Sequence, residues 1–175
     1  MKIYVASSWR CALQPEIVEL LRVNNFEVYD FRNPEAGDHG FHWSNINPKW
    51  KAGTEIGVGK STMSLEDYRD EALASDLAKH GFGLDFAAMK WADACVLVLP
   101  CGRSAHLEAG WFVGAGRPLH ILLSTEKFEP ELMYLMATSI SIDRVELLAA
   151  VDKSRAVIDA PRTDWDRDDP DIHGH

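Results

Sequence analysis

The sequence has few cysteines, no long apolar run and no excess of positive charge. Its three cysteines form no C-x-x-C pair, and no secretory signal precedes the first apolar segment, so we expect a reduced, cytoplasmic protein. No apolar run approaches the roughly 20 residues that a membrane span requires. The net charge of −9 disfavours a polynucleotide partner, because an acidic chain gains nothing from counterion release.

Several familiar ligand-binding motifs are also missing. Gly59-Lys60-Ser61 lacks the glycine that a phosphate-binding P-loop needs five positions earlier, where Thr54 stands. The turn at 7–10 contains no glycine, which argues against a Rossmann dinucleotide site. His106-Leu107-Glu108 is not followed by the P-C-x-x-C of zinc deaminases, and no other His or Cys spacing suggests metal ligands. We therefore expect neither a metal nor a cofactor. Cys101, just before a predicted helix, is a weak alternative nucleophile without an evident partner base.

Short apolar segments alternate with helical patterns along the chain. The sequence predicts one α/β domain over residues 1–159, a doubly wound, five-stranded parallel sheet of the flavodoxin or Rossmann-like type, followed by an acidic, flexible tail at 160–175. The strands are expected at 2–6, 26–31, 94–99, 119–123 and 139–142. Helices are expected at 15–24, 64–79, 84–91, 104–115, 130–136 and 145–157, with Gly81 and Gly83 interrupting between the second and third.

Ligands in such sheets bind outside the carboxyl ends of the strands, which selects segments 7–10, 30–32 and 101–108. Between them, residues 32–63 show no sustained period and are rich in Gly, Pro, Asn and aromatic residues. Long loops of this kind are usually lids or binding loops, so we expect this one to cover a substrate.

Glu108 is the carboxylate whose position most needs an explanation. If Ser104 caps its helix, Glu108 is the fourth helical residue and does not complete a capping box. Its neighbours at 107 and 109–112 predict a helix largely buried on the sheet, where an uncompensated carboxylate costs several kcal/mol. Glu108 is therefore either functional or on an exposed stripe. Asp85, at the start of a predicted helix, is either a second functional carboxylate or a residue that interacts with the helix dipole.

With these residues located, the chain resembles the nucleoside 2-deoxyribosyltransferase superfamily, which includes nucleotide N-glycosidases. Residues 2–10 look like the family's first strand and its sugar- and base-contacting loop. Leu84-Asp85-Phe86 and Ala92-Asp93-Ala94 look like its helix–strand segment with the catalytic aspartate. Residues 104–110 resemble the element that carries the nucleophilic glutamate. The compact turn at 100–103 departs from the transferase pattern, because it lacks that pattern's additional acidic residue.

The resemblance implies cleavage of the N-glycosidic bond of a nucleoside or nucleoside 5′-monophosphate, by hydrolysis or transfer. Glu108 would form a glycosyl ester, and Asp85 would give a proton or hydrogen bond to the departing base. Arg103, Ser104 and the helix N-terminus could hold a phosphate, and aromatic residues could stack on the base. The expected substrate contacts are Tyr4, Ser7, Ser8, Trp9, Arg10, Asp30, Phe31, Phe41, His42, Trp43, Gly102, Arg103 and Ser104.

Two alternatives remain open. One is a TIR-like enzyme that hydrolyses the nicotinamide bond of NAD, since that fold also uses a glutamate on a helix beside a strand. The other is a module that binds and senses nucleotides without cleaving them. The family resemblance also implies a homo-oligomer, a dimer or larger, with residues 130–136 at the place of the family's interface helix. Tyr134 and the acidic tail are the residues to watch.

Overall fold

The computed structural model describes residues 1–35, 37–48, 50, 63–124 and 129–160. Within them, five parallel strands form one sheet in the order β2-β1-β3-β4-β5. This arrangement confirms the doubly wound sheet and its flavodoxin-like order. The predicted tail beyond residue 160 and much of the predicted 32–63 loop lie outside the described residues. The strands are β1 (Lys2–Ala6), β2 (Glu27–Tyr29), β3 (Ala94–Val98), β4 (Leu119–Leu122) and β5 (Ser139–Ser141).

The described helices cover both faces of the sheet. Pro15 stands in the first turn of α1, where its missing N–H costs nothing. Asp143 caps α4 by accepting hydrogen bonds from the amides of Val145 and Glu146. The predicted helix at 130–136 is a shorter 3-10 helix, Leu132–Met136. The α-helices are α1 (Gln14–Val23), α2 (Asp76–Trp91), α3 (Arg103–Gly114) and α4 (Arg144–Ile158).

Alternation along the strands divides the core into two layers. Odd residues of β1, such as Ile3 and Val5, pack with α1 and α4. Tyr4 points to the other layer, where it packs with residues of α2 and α3, including Phe112. Every residue of β3 is buried, as expected for the central strand of a parallel sheet.

The helical region after residue 63 begins as predicted. The Asp67 amide donates to Ser64 Oγ at 3.0 Å, and the Ser64 amide donates back to the Asp67 carboxylate at 3.3 Å, which is a capping box with Asp in place of Glu. A π-helix, Asp67–Ala72, follows and does not continue to residue 79.

The predicted break at Gly81 and Gly83 is wrong. The break lies earlier, where Ser75 Oγ accepts from the Ala78 amide at 3.2 Å and starts a new helix. Both glycines lie inside α2, since an isolated glycine costs only about 1 kcal/mol relative to alanine in a helix. Together the two glycines cost about 2 kcal/mol, more than one N-cap usually contributes, so the packing of Ala88 and Met89 of α2 in the core must offset them.

Helix α3 begins two residues earlier than predicted. Gly102 is its N-cap residue, so Ser104 is not the cap and Glu108 is the sixth helical residue, not the fourth. The expectation of a largely buried helix is also wrong, because Leu107 is 77% exposed. Glu108 lies half-buried at the edge between the core face and the surface.

Over the described part of the chain, no helix combines the length and apolar character that crossing a lipid bilayer requires.

Candidate active site

A cavity of about 580 Å³ lies beyond the carboxyl ends of β1 and β2. Its walls come from the loop after β1, the end of β2, the segment around residues 34–45 with Trp50, helix α2 and the start of α3. Its volume falls within the range of about 300–1,000 Å³ that is usual for small-molecule sites. The position is the one that the strand-end rule predicts for parallel sheets.

Glu108 reaches this cavity from α3. Its pKa is raised to about 7, mainly by burial and also by the charge of Asp85, while a hydrogen bond from the Tyr4 hydroxyl acts in the opposite direction. Tyr4 itself is almost fully buried beneath the cavity. Near neutral pH this carboxyl group can therefore exist in either protonation state.

Asp85 enters the same cavity from α2. It is the tenth residue of that helix, so the expected position at a helix start is wrong and the helix dipole does not explain it. The Tyr29 hydroxyl donates to Asp85 Oδ1 at 2.8 Å. Burial raises the pKa of Asp85, and this hydrogen bond lowers it.

The two tyrosines that lie next to these carboxylates also contact each other. Tyr4 of β1 and Tyr29 of β2 are paired in register, and their rings stack with centroids 5.5 Å apart and planes 15° apart. Burial, followed by the charges of the nearby carboxylates, raises the pKa of both hydroxyls well above the usual value. Both tyrosines are therefore protonated hydrogen-bond donors at any physiological pH.

Arg32 holds the loop that follows β1. Its guanidinium donates to the backbone carbonyls of Ser8, Trp9 and Cys11 at 2.9–3.0 Å and lies over the Trp9 ring. Asp30 accepts from Gln14, Asn33 and the Arg32 amide, and it is buried outside the cavity wall. These two residues build the loop and do not face the cavity.

An aromatic wall closes one side of the cavity. Phe41 and Trp43 meet edge to face at 4.9 Å, and His42 lies 4.2 Å from the Trp9 ring. Gly40 has a φ of +73°, and a Cβ there would lie 2.4 Å from the Phe31 carbonyl oxygen. The backbone at this point can therefore approach Phe31 only because the residue is glycine.

The structure also bears on Cys101 as a nucleophile and on metal binding. Burial raises the pKa of Cys101 to about 12, so its thiol is protonated at neutral pH and poorly suited to nucleophilic attack. Among the described residues, no group of three or more His, Cys, Asp or Glu side chains is arranged to hold a metal ion.

Neither a family model nor a curated protein matches the sequence. Among solved structures, a 2-deoxyribosyltransferase from Bacillus psychrosaccharolyticus matches with a TM-score of 0.50 and 19% identity, over 83% of this chain and 89% of that chain. The chain has the fold of a 2-deoxyribosyltransferase. A CMP N-glycosidase from Clostridium botulinum matches with a TM-score of 0.44 and 15% identity, over 88% of this chain and 99% of that chain. The first similarity confirms the fold that the resemblance of the sequence implied.

Within this deoxyribosyltransferase-like fold, the structure brings together nine of the residues singled out from the sequence. Six others lie outside the cavity wall: Tyr4 beneath it, and Ser8, Arg10, Asp30, Gly102 and Arg103 beside or behind it. The nine that line the cavity are Ser7, Trp9, Phe31, Phe41, His42, Trp43, Asp85, Ser104 and Glu108.

Sequence reasoning missed several lining residues. Tyr29 ends β2, so the strand-end rule could have found it. Leu77, His80 and Leu84 line the cavity from one face of α2, at helical spacing. That spacing was obscured by the mistaken break at Gly81. Asp38, in the loop, carried no signal in the sequence.

Proposed function

We propose that the protein cleaves the N-glycosidic bond of a nucleoside or nucleoside 5′-monophosphate, with Glu108 as the nucleophile and Asp85 as the group that assists the departing base. One observation carries the proposal. Two carboxylates from different helices face one cavity beside two stacked tyrosines of the sheet, one of which donates a hydrogen bond to Asp85 at 2.8 Å. The 2-deoxyribosyltransferase fold supports it.

In this mechanism an ionised Glu108 attacks the sugar C1′ through an oxocarbenium-like transition state and forms a glycosyl ester. The electrons of the C1′–N bond pass to the base, which takes a proton from Asp85. Water, or a second base in a transfer reaction, then attacks C1′, gives a proton to the ionised Asp85 and releases the glutamate. Because the two carboxylates interact and are shielded from water, they retain one proton between them over a range of pH, as the reaction needs.

The walls of the cavity suit the two halves of such a substrate. Phe41, Trp43 and Trp9 offer ring faces and edges on which a base can stack. Ser104 lines the cavity near the N-terminus of α3, and this is where a 5′-phosphate would be stabilised by the helix dipole. Arg103 is exposed and outside the wall, so it has a smaller part in this proposal than the sequence suggested.

The test is a screen of nucleosides, nucleoside monophosphates and NAD, with base release followed by chromatography. We expect Glu108→Ala to abolish base release while the circular dichroism spectrum is unchanged. Glu19→Ala, an exposed glutamate of α1, is the matched control and should retain full activity. Activity of Glu108→Ala within a few-fold of wild type would contradict the assignment. Preferred cleavage of NAD would favour a NAD glycohydrolase, and saturable binding without product would favour a sensing module.

We also propose that the protein forms a homo-oligomer. Apolar side chains are exposed along the edge strand β5 and the 3-10 helix before it, including Leu132, Leu135 at 82% exposure, and Ile140. Several large apolar side chains exposed in two consecutive elements suggest an interface. Sedimentation velocity should give a dimer or larger species, and Leu135→Asp should shift the protein toward a monomer. A monomeric wild type would contradict this proposal.

A further inference from the structure

Tyr29 is held rigidly at the end of β2, beneath the Asp85 side chain. Its hydroxyl donates to Asp85 Oδ1 at 2.8 Å across 56 positions of sequence. Its ring stacks on Tyr4, and the two strands pair in register at this point. The hydroxyl therefore has little freedom to turn away, and it occupies one of the two carboxyl oxygens of Asp85.

The groups around Asp85 are mainly acidic. Glu108 faces it from α3, and Tyr4 lies close to both carboxylates from β1. Asp38, in the loop after β2, adds a further negative charge near Tyr29. Removal from water also disfavours the charged form of Asp85. Among the described groups, the Tyr29 hydroxyl is the donor that stabilises the ionised carboxylate, as the Tyr4 hydroxyl does for Glu108.

We propose that Tyr29 is a positioning residue for the reaction: its hydroxyl orients the Asp85 carboxyl and leaves the second oxygen for the departing base. The same hydrogen bond stabilises the ionised carboxylate that remains once the base has taken the proton. The inference rests on the proposed role of Asp85. It assigns each carboxylate its own tyrosine, so that Tyr29 acts through Asp85 and Tyr4 acts through Glu108.

The first experiment compares Tyr29→Phe with Tyr4→Phe, since both variants keep the ring and remove only the hydroxyl. We expect Tyr29→Phe to lower kcat by about tenfold with little change in KM, because a hydrogen bond to a charged group is lost. Removing this donor raises the pKa of Asp85, so one limb of the kcat–pH profile should move to higher pH. Tyr4→Phe should instead move the other limb, which Glu108 governs, to higher pH.

The second experiment is a double-mutant cycle with Asp85→Asn. If Tyr29 acts through Asp85, adding Tyr29→Phe to Asp85→Asn should cause no further loss of kcat. An equal loss in both backgrounds, or pH profiles in which Tyr29→Phe moves no limb or the same limb as Tyr4→Phe, would overturn the proposal. If the activity of Asp85→Asn is too low to compare, the movement of the limb decides.

Failure of this inference and failure of the proposed function give different results. Full activity of Asp85→Asn would refute the role of Asp85 in the reaction. In that case the carboxyl pKa of Asp85, measured by carbon NMR in wild type and Tyr29→Phe, still tests the hydrogen bond itself. We expect that pKa to be higher in the variant, and equal values would refute the effect of Tyr29.

Discussion

Gly81 lies against Phe41 so closely that a Cβ on Gly81 would be 2.8 Å from the Cβ of Phe41. The contact joins helix α2 to the aromatic wall of the cavity. It also gives a reason for a glycine in the interior of a helix, where glycine is otherwise unfavourable.

We therefore expect Gly81→Ala to push the aromatic wall away from α2 and to raise KM several-fold with a smaller effect on kcat. Gly83→Ala is the matched control, because a Cβ at that position meets nothing within 4 Å in the same helix. It should leave KM unchanged and stabilise the fold by up to about 1 kcal/mol. Steady-state kinetics of both variants gives KM, and urea unfolding gives the free energy of unfolding. Equal KM values for the two variants would show that the wall does not contact the substrate.

Glu108 should reduce the stability of the fold at neutral and alkaline pH. Its pKa is about 7 in the folded protein and 4.5 as the ordinary value, so the folded state holds its proton more tightly. Stability is then lost as pH rises from 4.5 through 7, and the loss is complete above that range. Glu108→Gln removes the charge, and we expect it to stabilise the fold by about 2–3 kcal/mol at pH 8.

The same variant should have nearly wild-type stability at pH 4, where Glu108 is protonated in both states. Urea unfolding at the two pH values measures the difference. A stabilisation of the same size at both would mean that the amide improves packing and that the carboxylate charge is not the cause.

His120 should make the fold sensitive to acid. It is fully buried on β4, its Nδ1 lies 2.8 Å from Ser139 Oγ, and burial lowers its pKa to about 4 from an ordinary 6.5. The unfolded chain therefore binds a proton that the folded protein resists, and stability falls as pH drops from 6.5 to 4, by up to about 3 kcal/mol. In His120→Asn this dependence should be weaker. His39→Asn, at an exposed position, should keep the wild-type dependence, and identical slopes in both variants would contradict the prediction.

The sheet was predictable because strand and helix patterns alternate strictly. That alternation allows few topologies once parallel strands must connect through right-handed crossovers. Glu108 was identifiable from the motif around it, although its helix starts at Arg103 and not after Ser104. Such boundaries depend on which residue caps a helix, and Gly102, which does so without a side chain, leaves a weak signal.

Features that depend on contacts between distant segments were not predictable. The start of α2 depends on the Ser75 cap, its continuity through Gly81 depends on packing in the core, and the need for glycine depends on Phe41, 40 positions away in the sequence. Tyr29 looks like an ordinary strand residue until the pairing of β1 with β2 and the course of α2 are known. The sequence therefore pointed to both acids and to Tyr4, as a substrate contact, but not to Tyr29.

The geometry of the site depends on the register in which β1 pairs with β2. β2 is an edge strand of three residues, and Tyr29 is its last residue. A slip of one position would turn Tyr29 to the opposite side of the sheet and bring Val28 or Asp30 to its place. A molecule that had closed its core with this strand misplaced would be compact yet unable to hold Asp85 correctly. If the proposed function is correct, the activity per folded molecule should fall whenever this edge strand pairs out of register.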